Sequence, residues 1–145
     1  MRRSSRFGLA VLLSAAPALA PAGDTLQRLE GQALHAALLG AWCNSNDGGR
    51  SCWAWDQFFA DGSLRACGRH EADARPFDGR GHVTVEGDRM CYRVVQASAD
   101  FWLAPGQRYC TRILGVSGER HDYQDLDSGA VFSLYRRAAA DVRCP

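Results

Sequence analysis

The sequence predicts an all-β fold, an antiparallel up-and-down barrel of about eight strands with one N-terminal helix. Three observations predict it. From Gly40 onward, short alternating runs rich in Val, Phe, Tyr and Trp follow one another with no second helical segment. Turn dipeptides separate many of them: Asp61-Gly62, Gly87-Asp88, Ser117-Gly118 and Ser128-Gly129. Six cysteines, all beyond Trp42, supply staples for a domain with a modest core. Tight turns imply that each strand pairs with the next. A meander of eight strands removes its exposed edges by closing on itself.

Residues 1–22 read as a secretory signal. Arg2, Arg3 and Arg6 precede the apolar run FGLAVLLSAA, and small residues follow. Cleavage after Ala22 uses Ala20 and Ala22 as the small positions; cleavage after Ala20 would leave Pro21 at the new N-terminus. The apolar run is well short of the roughly 20 residues that cross a bilayer, and with no cysteine near either cut a lipid anchor is not expected. Residues 23–145 form a single domain expected in the periplasm or outside the cell, with no membrane span in the mature chain. Losing the signal leaves fourteen arginines against sixteen acids, a formal charge of about −2 in place of +1. Such a domain has no electrostatic footprint for nucleic acid or anionic lipid. The chain contains no lysine.

The helix is expected over 24–39. Leu26, Leu29, Ala33 and Ala37, with Leu34 and Leu38, form an apolar stripe. Asp24 with Gln27 resembles a capping box, Gly31 is an internal cost, and Gly40 ends the run. Strands are expected over 40–44, 51–60, 63–69, 80–86, 89–96, 107–116, 119–125 and 130–137. A two-residue turn at Asp61-Gly62 places Phe59 opposite Leu64, on one face with Trp53, Trp55 and Ala66. Cys52, Asp56, Arg65 and Cys67 then share the other face, and the tryptophan face is read as interior. Fifteen disulfide pairings are combinatorially open. A hairpin around the 97–106 loop sets Cys91 across from Cys110, Cys43 and Cys52 close the loop NSNDGGRS, and Cys67 with Cys144 remain by elimination.

Taken in order, EGQALHAALLG, the Gly40-x-Trp42 motif, FFADGSLRA, GHVTVEGDRMCYRV and YCTRI form one pattern. It resembles a group of uncharacterised bacterial periplasmic proteins with a small lipocalin-like barrel, over about residues 29–137. The resemblance implies that fold, a periplasmic location and a Cys91–Cys110 disulfide; it implies no reaction. His82 stands where that group carries a core Trp. Lipocalins proper share the Gly-x-Trp alone, with Trp42 expected to plug the closed end. LLGAWCN is superficially similar to the first strand of biotin-binding barrels, whose later pattern is not followed. Periplasmic lysozyme inhibitors are similar in architecture only.

No catalytic, metal or cofactor motif emerges. There is no C-x-x-C, and His70, Glu71, Asp73, Asp78 and His82 gather around one polar loop. Ser133, His121 and Asp122 could be named as a nucleophile set, but adjacent strand residues point to opposite faces. Asp125 and Asp127 are expected to flank a turn rather than act as paired carboxylates. The aromatic residues carry the functional reading. Trp42, Trp53, Trp55, Tyr92 and Tyr109 are expected to point inward, and Phe101 and Trp102 sit on the 97–106 loop as a lid or contact ridge. The expected function is non-catalytic binding of a small apolar or amphipathic molecule in the barrel. The alternative is docking on an envelope protein through the same loop. A deep pocket behind Trp102 would separate the first from the second, which calls for a filled lumen and an exposed Phe101–Leu103 ridge.

Overall fold

The computed structural model describes residues 25–145; residues 1–24, where the signal and the Asp24 helix cap are expected, lie outside the described residues. One helix, α1 (Gly31–Leu38), precedes eight strands: β1 (Gly40–Asn44), β2 (Ala54–Phe58), β3 (Ser63–Arg69), β4 (Pro76–Glu86), β5 (Arg89–Ala97), β6 (Arg108–Val116), β7 (Arg120–Asp125) and β8 (Val131–Arg137). Each strand pairs antiparallel with the next, and β8 returns to β1 through Ala41↔Arg137 and Cys43↔Tyr135, closing the barrel. No strand edge is left for another chain to extend.

The expected helix is halved at its N-terminal side. Gly31 has φ +54°, a conformation no α-helix interior accepts. Gln27, expected in a capping box, instead pairs with Val116 as an isolated bridge. β2 begins three residues later than expected because the Cys43–Cys52 loop occupies 45–53, and β4 begins four residues earlier because Pro76–Gly79 continues the pairing with β3. His82 is exposed on β4, not in the core.

The β2–β3 hairpin is offset by one residue from the register expected. Phe58, not Phe59, opposes Leu64, and Trp55 opposes Cys67. The connection is a three-residue loop. Gly62 N–H donates to the Phe59 carbonyl (3.0 Å), Phe59 N–H donates to the Ser63 carbonyl (3.0 Å), and Gly62 takes φ +81°. A two-residue turn of the expected kind would need positive φ at Asp61 as well. Asp61 avoids it and instead accepts from the Ser63 amide (2.9 Å) and hydroxyl (2.6 Å). Because strand side chains alternate, this single step reverses the faces of β2. Ala54, Asp56 and Phe58 point into the barrel, whereas Trp55 packs outside it with Cys43 and Cys67.

All three disulfides pair as expected: Cys43–Cys52, Cys67–Cys144 and Cys91–Cys110. Cys91 and Cys110 are direct cross-strand partners. Cys67–Cys144 draws the tail after a 3-10 turn (Ala139–Asp141) over Trp55, so Val142 and Cys144 cover that outer cluster.

Candidate functional site: a gated cavity in the barrel

One end of the barrel is sealed. Leu34 and Leu38 of α1 are fully buried beneath it, against Trp42, Ile113 and Val116. Trp42 Nε1–H donates to the Leu38 carbonyl (2.6 Å), and the Arg136 guanidinium lies 4.2 Å over the Trp42 ring. Arg136 also donates to the Leu39 (2.8 Å) and Ala37 (2.7 Å) carbonyls, satisfying acceptors that the helix C-terminus leaves open and placing positive charge at its negative end. Trp42 therefore plugs the closed end, below the cavity and not in its wall.

The other end carries the four loops 45–53, 70–75, 98–107 and 126–130, and opens into a cavity of about 470 Å³. Ligand pockets commonly fall between about 300 and 1,000 Å³. The β5–β6 loop partly roofs it. Phe101 turns in over Gly79, where any side chain would strike its ring, and is 7% exposed. Trp102 stacks on Phe101 (4.2 Å), meets Phe77 edge-on (5.3 Å) and stays 52% exposed at the rim. Two contacts tie this loop to the β3–β4 loop: His70 Nε2–H donates to the Asp100 carbonyl (2.7 Å), and Arg75 pairs with the Asp100 carboxylate (2.7 Å). The loop is thus neither wholly core nor a free ridge: Phe101 is the buried anchor and Trp102 the outward face.

Of the aromatic residues expected inside, Trp53, Tyr92 and Tyr109 line the cavity. Trp53 stands at the mouth, edge-on to Phe77 (6.4 Å), and Tyr109 donates to Asp125 Oδ2 (2.7 Å) at the rim. Trp55 does not reach the cavity, for the register reason given above. Polar residues that the sequence reading placed elsewhere or passed over complete the wall. Asp56, expected on the outer face, projects inward and accepts from Asn44 Nδ2 (3.2 Å). Burial outweighs that hydrogen bond and pushes its carboxyl up to about 6. Tyr92 Oη, Thr111 Oγ1 and His121 Nδ1 are buried without a hydrogen-bond partner. His121 is held neutral: burial, and then the Arg136 charge, take it down to about 3. A three-residue turn at Ala60-Asp61-Gly62, with glycine last, was the signal that would have turned Asp56 inward on paper.

Ser133 and Asp122 hydrogen-bond to each other, and no hydrogen bond joins either to His121 among the described residues. Ser133 Oγ–H donates to Asp122 Oδ1 (2.7 Å) across β7–β8, while His121 faces the lumen beside Trp42 (4.4 Å). Asp125 accepts from the Asp127 and Ser128 amides (both 2.8 Å), so these acids do flank a turn. The acidic loop disperses into separate contacts: Asp73 with Arg75 (2.6 Å), Asp78 with Arg65, and Glu71 with Asn46. Among the described residues no three His, Cys, Asp or Glu side chains converge on a metal-sized site.

A closed eight-stranded antiparallel barrel with one helix under its sealed end defines a lipocalin-like fold, and solved structures share it. A lipocalin-like protein from Bacteroides uniformis superposes with a TM-score of 0.54 at 12% identity, covering 70% of this chain and 99% of that one. An uncharacterized protein from Bacteroides eggerthii gives a TM-score of 0.50 at 11% identity, covering 68% and 98%. No protein-family model and no curated protein matches the sequence. The likeness is one of fold, and it agrees with the resemblance drawn from the sequence pattern.

Proposed function

We propose that this protein is an exported, non-catalytic binding protein that holds a small apolar or amphipathic molecule in its barrel. The observation that carries the reading is the cavity of about 470 Å³ behind a half-exposed Trp102, in a barrel otherwise closed by its own core. Its walls are mainly apolar and aromatic, with a few inward polar groups, which is the usual composition of a small-molecule site. Three disulfides support an oxidising compartment, hence the periplasm or the exterior. Ser133 is hydrogen-bonded to Asp122 and not to His121, which gives no support to a nucleophile–base pair there.

The test is native mass spectrometry of the protein purified gently from its own host, beside a denatured sample. A reproducible added mass, on the order of a few hundred daltons, that disappears on denaturation is the expected result. A bare chain that also refuses apolar probes would overturn the reading. Docking on an envelope protein through the 97–106 loop keeps one observation in its favour, the exposed Trp102 face, and a co-purifying protein lost on Trp102→Ala would establish it.

A further inference from the structure

The cavity wall carries two carboxylates, Asp56 and Asp125, and no cationic arginine among the described residues. Asp125 is at the rim and fully bonded to Tyr109 and two backbone amides. Asp56 lies deeper, with one neutral partner, Asn44 on β1, and no ion-pair partner among the described residues. Around the lumen, Tyr92 on β5, Thr111 on β6 and His121 on β7 are 3%, 1% and 1% exposed, and each has a polar atom with no partner. The Tyr92 and Tyr123 side chains are within electrostatic reach of Asp56.

Asp56 is half-buried, and a carboxylate drawn out of water without a cation is costly, a cost that a cationic ligand would offset. Hydroxyl oxygens and a neutral imidazole nitrogen can accept hydrogen bonds, so Tyr92, Thr111 and His121 can take the same donor that Asp56 lacks, whereas the unpartnered Trp53 Nε1–H at the mouth can only donate. Aromatic rings facing the same space favour positive charge. We propose that the cavity takes a small amphipathic amine, its protonated ammonium paired with Asp56 and donating to the Tyr92 and Thr111 hydroxyl oxygens. Its apolar part then runs past Phe58 and Phe77 to Trp102 at the mouth. A carboxylate-headed ligand would instead set a second anion against Asp56, and a neutral one would leave that charge unpaired. This inference rests on the binding reading and narrows it to one ligand class.

The experiment uses the mature protein and a neutral fluorescent probe, N-phenyl-1-naphthylamine, displaced in turn by octylamine, octanol and octanoate at pH 7. Octylamine is expected to compete at least about tenfold better than octanol, as a charge-assisted bond replaces a neutral one, with octanoate weakest. Asp56→Asn is expected to erase the preference, read as the ratio of octylamine to octanol affinity within the variant. A second measurement needs no variant. From pH 7 to pH 5 the ionised fraction of Asp56 falls about tenfold, and octylamine affinity falls with it while that of octanol holds. His121 stays neutral across that window, and His70 is at the mouth against the Asp100 carbonyl. Octanoate equalling octylamine, an amine preference that survives Asp56→Asn, or no pH step would each overturn the inference. Dye uptake without amine preference leaves the binding reading standing; refusal of dye and of all three competitors removes both.

Discussion

Two lumen-facing ionisable side chains, the half-buried Asp56 and the buried His121, set opposing pH responses within one lumen. Asp56 titrates near 6 in the folded protein against 3.8 as a free group, so the folded state binds the extra proton. Its contribution to stability therefore falls as pH rises from about 4 through 6, by at most about 3 kcal/mol. His121 is depressed to about 3 from 6.5, so its contribution is present above pH 6.5 and is lost as pH falls toward 3. Between about pH 6 and 4 the two slopes cancel. Asp56→Asn removes one of them, with two expected outcomes in urea titrations. The variant should be 1–3 kcal/mol more stable than wild type at pH 7, to an order of magnitude. Between pH 6 and 4 it should then lose about 1.4 kcal/mol per pH unit relative to wild type. Parallel curves for the two proteins would place Asp56 in contact with bulk water. A carboxylate that lowers stability is the kind of residue function retains.

At the scale of the element, the β5–β6 loop divides its work between two adjacent aromatic residues. Phe101 is buried over Gly79 and Trp102 is half-exposed over Phe77. Phe101→Ala should cost about 3 kcal/mol, as for other buried aromatics. Trp102→Ala should cost under about 1 kcal/mol, as for exposed positions, yet weaken ligand affinity; equal losses of stability would contradict the division. Gly79→Val leaves both aromatic residues in place but removes the seat of Phe101. It should cost about 1–3 kcal/mol and speed entry of a neutral dye, measured by stopped-flow fluorescence. The β2–β3 hairpin shows how much one loop residue decides. The same Asp61-Gly62 pair serves a two-residue or a three-residue connection, and only the second turns Asp56 into the lumen and Trp55 out of it.

At the scale of the whole molecule, the barrel closes on itself and three disulfides crosslink the fold. The Cys67–Cys144 bridge closes a separation of 77 residues and Cys91–Cys110 one of 19. Loop-closure entropy makes the longer crosslink worth roughly 1 kcal/mol more. The Cys67→Ser/Cys144→Ser double variant should therefore be the less stable of the two corresponding double variants in denaturant titrations. It should also expose Trp55, which the tail covers, as a red shift in tryptophan emission. Loss of the Cys91–Cys110 pair should cost about 2–5 kcal/mol; an unchanged midpoint would mean that the pairing of β5 with β6 needs no staple.

The sequence by itself determined the order of the eight strands, the closing helix stripe of Leu34 and Leu38, the Cys91–Cys110 pairing and the aromatic loop at 97–106. These are local or combinatorial properties: alternation, turn dipeptides and spacing act over a few residues. Only the tertiary structure decided which face of β2 looks inward, that the helix starts only at Gly31, and that Asp56, Thr111 and His121 meet in one lumen with Tyr92. Those residues come from β2, β6, β7 and β5, and their meeting depends on the register of every hairpin between them. A side-chain period of two lets one misplaced residue in a turn reverse a whole strand. The lumen's chemistry is therefore set by the closed barrel, in which all registers must agree at once.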